Sequence, residues 1–256
     1  MRDPAAFEAL TDDLTARFAG SPGARGLILA GSTAEPSRRD RWSDHDFLAF
    51  VDEGTGEAAR AQLGWLPDPH RILVVAREGG LGFSVLYDDG HLLEFAVAEA
   101  SELPDLQLAE HRVAFGDAAF TSFVDERAAV VPPPADPANE VRLTYVKLLV
   151  GFGRARRGER VVAGQFVRGW AVRHLLTAVR LRLPHPAGGP DPFEPSRRLE
   201  VHHPAFASQL DHVLAAPVED AARGVARLAR EALEPGWDAF PSTAADAVIA
   251  LLEEGR

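Results

Sequence analysis

The chain contains no cysteine, so no disulfide frames the fold and no thiolate is available as nucleophile or metal ligand. That composition fits a reducing compartment, and the expected location is cytoplasmic. No apolar run reaches the roughly 18 residues that a membrane helix needs, and no apolar stretch follows a basic patch at the N-terminus. Neither a membrane span nor a signal peptide is therefore expected. Lysine is nearly missing too: Lys147 is the only one, and every other base is arginine. Positive charge is scarce overall, with 27 bases against 38 acids and a net charge of -11. This balance repels a nucleic-acid backbone, so no nucleic-acid partner is expected, and it suits a cationic or neutral small substrate.

At 256 residues the chain can bury a core unaided, and its texture changes once along its length. Residues 4–18 carry Phe7, Leu10, Leu14 and Phe18 at helical spacing. Residues 26–30, 45–51, 71–76, 82–87 and 91–97 read as strands, with a short helix over 57–63. Asp88-Asp89-Gly90 separates the last two strands and predicts a hairpin, with Asp89-Gly90 taking the left-handed turn conformation. Four prolines in the six residues 132–137 cannot continue a helix or a central strand. They predict a boundary, giving domains at 1–130 and 131–256. Beyond it the helical period takes over, at 138–154, 161–183, 204–214, 218–233 and 242–252, interrupted by a Gly/Pro loop at 184–195. The expected class is α+β: a mixed sheet with flanking helices, then a C-terminal helical bundle, with the site in the cleft they share.

The informative stretch runs from Leu29 to Phe47. Strand residues two apart point to one face, about 6.6 Å apart along the chain, so Asp44 and Asp46 project together while His45 faces away. Two carboxylates so placed can converge on one divalent ion or bridge a pair of ions. Glu94, flanked by Leu93 and Phe95 in a strand-like run, is a costly place for an unpaired charge. On a neighbouring strand it would complete an acidic triad, either as a further metal ligand or as the base for an incoming hydroxyl. Gly31-Ser32 ends an apolar strand, where glycine permits a close turn and backbone N–H groups can face an anion. Alone, an Asp-X-Asp pair caps a strand as readily as it binds metal. The Gly-Ser turn, separated from Asp44 by eleven residues, makes the combination specific.

This pattern resembles the DNA polymerase beta-like nucleotidyltransferase superfamily. More narrowly, "GSTAEPSRRDRWSDHDF" followed by "YDDGHLLEFAV" resembles the aminoglycoside 6-adenylyltransferase and lincosamide nucleotidyltransferase branch. The resemblance implies that Gly31 and Ser32 hold the triphosphate of ATP or another nucleoside triphosphate. It implies Mg²⁺ on Asp44 and Asp46, and Glu94 as the third acid. The implied activity is transfer of a nucleoside monophosphate to a small-molecule hydroxyl, an antibiotic-resistance chemistry if the acceptor is an aminoglycoside. Acceptors left open are a lincosamide, another metabolite or a protein hydroxyl, and a silent nucleotide-binding module is the reading from a different class. Asp88 or Asp89 replaces Glu94 if the hairpin reading fails.

In the helical half, Leu143, Val146 and Val150 are expected to form a packing stripe beside Lys147. Lys147 is read against a merely solvated role as a ligand of the β- or γ-phosphate, on the strength of the resemblance. Arg41, in the Gly-Ser to Asp connection with Arg38 and Arg39, is the further phosphate candidate. The arginines between 154 and 182 form a basic region opposed only by Glu159. His202-His203 in a loop and His174 within a helix lack zinc spacing. Trp170, Trp237, Phe206 and Phe240 are expected in the bundle core. Oligomeric state is not legible.

Overall fold

The computed structural model describes residues 3–108, 110–130, 133, 135–185 and 194–254. The chain divides into two compact units, Met1–Pro132 and Pro133–Arg256. The proline run at 132–137 lies partly, and the loop at 184–195 largely, outside the described residues.

In the first unit, Asp3 caps helix α1 (Pro4–Ala19) by accepting from the Ala6 N–H, and Pro4 sits in the first turn, where its missing N–H costs nothing. Phe7, Leu10, Leu14 and Phe18 are buried, as their spacing requires. Six strands follow: β1 (Ala24–Ala30), β2 (His45–Val51), β3 (Ile72–Glu78), β4 (Gly82–Tyr87), β5 (Leu92–Ala98) and β6 (His111–Gly116). Their order in the sheet is β3-β4-β5-β2-β1-β6. The pairing of β2 with β5 is parallel and the others are antiparallel, so the sheet is mixed. Leu27, Ile28 and Leu29 are all fully buried, because helices cover both faces at β1. Leu27 and Leu29 join the α1-side cluster, with Phe47, Phe83 and Phe95 stacked across three strands. Ile28 packs with Phe50 under helix α4 (Ala118–Ala128), through Phe120 and Val124.

Turn chemistry sets the β4–β5 hairpin. The Gly90 N–H donates to the Tyr87 carbonyl and the Tyr87 N–H to the His91 carbonyl. Gly90 alone takes positive φ, at 80°; Asp89 does not, which corrects the two-residue left-handed reading. A three-residue loop of this form needs one left-handed residue, at its end. Three further differences concern elements. The helix expected at 57–63 is shorter, α3 (Gly56–Arg60). Strand β6 and helix α4 have no counterpart in the sequence reading, since β6 is only partly buried and α4 buries just Phe120 and Val124.

α3 is anchored by Arg60, buried to 7% exposure, which donates to both Glu102 carboxylate oxygens and to the Val97 carbonyl. The hydrogen bond from Arg60, against some desolvation, holds the Glu102 carboxyl below its ordinary value of 4.5. A depressed folded-state pKa means the unfolded chain binds the proton more tightly. The contact's stability is therefore full above the ordinary value and lost as pH falls through the acid range. Arg60→Gln is expected to flatten this acid limb in urea titrations, with about 2 kcal/mol lost at neutral pH.

The second unit is a helical bundle. It comprises α5 (Pro137–Arg156), α6 (Arg160–Gly164), a π-helical segment (Gln165–Ala171), α7 (Val172–Arg182), α8 (Leu199–His202), α9 (Pro204–Leu214), α10 (Val218–Leu233) and α11 (Ser242–Glu254). The span expected as one helix over 161–183 thus carries a π segment. The expected α5 stripe is also corrected: Val146 and Val150 are exposed, and the buried face is Val141, Tyr145, Leu148, Phe152 and Ala155. Phe206 and Phe240 lie in the core and Trp237 packs against it, whereas Trp170 is 46% exposed. His202 ends α8 rather than lying in a loop. No helix among the described residues is long and apolar enough to cross a membrane.

Candidate functional site

Odd and even positions of β2 face opposite sides of the sheet. His45 goes to the α1 side, fully buried, stacked on Phe7 with ring centroids 3.7 Å apart. Its Nε2 lies 2.9 Å from the Thr11 hydroxyl and its Nδ1 2.7 Å from Nε2 of His91. With His45 fixed inward, Asp44 and Asp46 are forced to the other side. The parallel register then sets Asp46 beside Glu94 on β5, and the antiparallel register sets it beside Ala30 on β1. One carboxylate oxygen from each of Asp44, Asp46 and Glu94 lies within 4.8 Å of the others. Both aspartates are partly exposed and Glu94 is exposed.

Gly31 opens the four-residue helix α2 (Gly31–Ala34) directly after β1, with φ 53°. A Cβ at this position would stand 2.8 Å from Oδ2 of Asp46. Glycine is needed for the left-handed backbone, and a Cβ would in addition displace the Asp46 carboxylate. Ser32 is partly exposed in the same turn.

Thr33, which the sequence reading passed over, and Arg39, which it grouped with the phosphate candidates, hold this corner. Thr33 is fully buried; its Oγ1 accepts from the Asp46 N–H at 2.9 Å and donates to the Asp44 carbonyl at 3.3 Å. It ties the turn to both ends of the Asp-X-Asp segment. Arg39 donates to the carbonyls of Ser32 and Thr33 at 2.9 Å each, pairs with Glu8 and lies over the Phe7 ring. Its charge therefore braces the turn from behind. Thr33→Val is expected to orphan the Asp46 N–H and cost about 1–2 kcal/mol in urea unfolding, leaving secondary structure unchanged by circular dichroism.

The other candidates are placed differently. Arg41 is exposed, its guanidinium 4.4 Å from the centre of the Trp42 ring. Arg38 pairs with Glu110. Lys147 belongs to the second unit, on α5, its ammonium 5.9 Å from the ring centres of Phe166 and Trp170. Asp88 and Asp89 sit at the hairpin turn, paired with Arg71. Much of the basic region is neutralised locally: Arg154 and Arg157 bond to Glu159, Arg160 faces Glu219, and Arg168 caps α9 through the Leu214 carbonyl. His174 bonds to Glu140 at 2.7 Å.

The donor set is all oxygen and all anionic, which suits a hard divalent ion and not a soft one. Octahedral Mg²⁺ places its ligand oxygens about 2.9 Å apart when adjacent and about 4.1 Å when opposite. The three carboxylate oxygens, within 4.8 Å of one another, are already near that spacing.

No protein-family model matches the chain, and no curated protein does. Solved structures give distant likenesses. A nucleotidyltransferase-like protein from Exiguobacterium sibiricum 255-15 is 15% identical, with 97% of this chain and 80% of that one covered, at a TM-score of 0.32. An aminoglycoside 6-adenyltransferase from Bacillus subtilis is 11% identical, with 100% and 96% covered, at 0.29. The CD-NTase CdnG from Bradyrhizobium diazoefficiens, solved in complex with GTP, is 14% identical, with 100% and 88% covered, at 0.31. At these scores the superpositions add nothing to the geometry above.

Proposed function

We propose that this chain is a Mg²⁺-dependent nucleotidyltransferase of the polymerase beta-like superfamily. It transfers a nucleoside monophosphate, AMP from ATP in the first instance, to a small-molecule hydroxyl and releases pyrophosphate. The observation that carries the reading is the convergence of Asp44, Asp46 and Glu94 within 4.8 Å beside a left-handed glycine.

In this reading Asp44 and Asp46 hold the metal. A divalent ion held there would supply Lewis-acid charge for the displacement at phosphorus. Glu94, the most exposed of the three, is assigned as a third metal ligand or as the base that accepts the acceptor's hydroxyl proton. Gly31, through its backbone N–H, and the Ser32 hydroxyl are assigned to the triphosphate oxygens. Lys147 and Arg41 are assigned to the charge of the departing pyrophosphate. An aminoglycoside is the favoured acceptor class, because a polycation suits a chain of net charge -11. The test is incubation with ATP and Mg²⁺ against an aminoglycoside and lincosamide panel, with AMP addition read by mass spectrometry. An adduct that needs both Mg²⁺ and Asp44 supports the reading; ATP left intact with every acceptor and with water counts against it.

A further inference from the structure

We propose that the outer edge of β3 pairs with the same edge of a second copy of this chain, forming a twofold dimer with one continuous sheet. β3 ends the sheet and, among the described residues, pairs only with β4. Half of its backbone N–H and C=O groups therefore face outward as an open ladder. Leu73, Val74 and Val75 are 64%, 49% and 50% exposed. From Val74 on, consecutive residues point to opposite faces, so with Val74 and Val75 both exposed the strand is uncovered on both sides as well as along its edge. Natural edge strands are usually protected by proline, lysine or an inward charge. β3 has no proline or lysine; its bulge, between Ile72 and Val74, and its charges, Arg77 and Glu78, lie at its two ends and leave Val74 to Ala76 unprotected.

The charges around the strand select a copy of itself. A twofold axis normal to the sheet keeps the faces aligned, so residues of equal parity oppose one another. Centred on Val74, the pairing sets Arg71 against Arg77. Centred on Val75, it sets Val75 against Val75 and Val74 against Ala76, with the bulge residue Leu73 next to Arg77. No like charges then face each other directly. Arg77 bonds to the Gly80 carbonyl, lies over the Phe83 ring and pairs with no carboxylate among the described residues. In this register it reaches the diagonal neighbour of Leu73 in the second copy, Arg71. There Asp88 and Asp89, at 2.7 and 3.2 Å, outweigh the Arg71 charge. The symmetry repeats this ion contact at both ends of the strand pair.

The absence of cysteine makes the register directly measurable. In the Val75-centred pairing the two copies of position 75 are about 5 Å apart, within disulfide reach, whereas the two copies of position 73 are about 13 Å apart or more. We expect wild type to sediment as a dimer at micromolar concentration. Val75→Cys should oxidise to a covalent dimer at least about tenfold faster than Leu73→Cys, as the bond's distance requirement dictates. Val75→Lys should sediment as a monomer with an unchanged circular dichroism spectrum. A monomeric wild type overturns the proposal, whether the edge is then free or reserved for another protein's strand. Equal oxidation of the two cysteine variants, or a dimer that survives Val75→Lys, overturns it as well.

Discussion

Replacing Asp44 and Asp46 together by asparagine is expected to reduce Mg²⁺-dependent pyrophosphate release from ATP by a factor on the order of 10³ or more, without loss of stability. The measurement is a coupled pyrophosphate assay, with the acceptor identified by the panel or with water. Asparagine keeps the volume and the backbone, so Thr33 Oγ1 still accepts from the N–H at position 46. What disappears is the anionic charge that holds a divalent ion. Without that ion the three clustered carboxylates repel one another, at separations within 4.8 Å. Removing two charges should leave the metal-free melting temperature equal or raise it. A structural role for the acids predicts the reverse pattern: a lower melting temperature and untouched chemistry.

Gly31→Ala carries the second large effect, and it couples stability to chemistry. At φ 53° an L-residue is strained, and the new methyl would press on Asp46 Oδ2 from 2.8 Å. The expected cost is about 1–3 kcal/mol, read from urea unfolding. Because the methyl pushes a proposed metal ligand, pyrophosphate release should fall by about tenfold or more, beyond what the unfolded fraction explains. Gly54→Ala is the control. It also has positive φ, at 80°, but nothing lies within 4 Å of a Cβ there. It should pay the backbone strain and keep the activity.

The contrast between legible and illegible features has a physical basis. β4 matches its expected span because alternation is strict and turn residues bound it, and β2 matches because it is an apolar run that alternates over its first four residues and is buried on both faces beyond them. The inward His45 and outward Asp44 and Asp46 follow from the two-residue period, so the placement of the acids was readable. Pairing of β2 with β5 was not, since no local signal says which strand lies beside which. That register alone puts Glu94 next to Asp46. Thr33 and the bracing role of Arg39 stayed hidden for the same reason: both reside in contacts with Asp46, Ser32 and Glu8, distant in the chain or invisible in residue type. On α5 apolar residues occupy more than one face, so the helical period could not choose between Val146 and Tyr145. A π segment leaves no pattern in residue type, and α7 consequently starts later than the apolar period suggests.

The proposed chemistry requires a divalent ion held by the Asp44, Asp46 and Glu94 cluster together with a nucleotide. Water-proton relaxation with Mn²⁺ and a non-hydrolysable ATP analogue tests this directly, because it reports metal in a ternary complex with the protein. The expected result is a strong enhancement with wild type, a weaker one with Glu94→Gln, and none above the Mn²⁺-nucleotide baseline with Asp44→Asn/Asp46→Asn. Equal enhancement in wild type and the double variant would contradict the account.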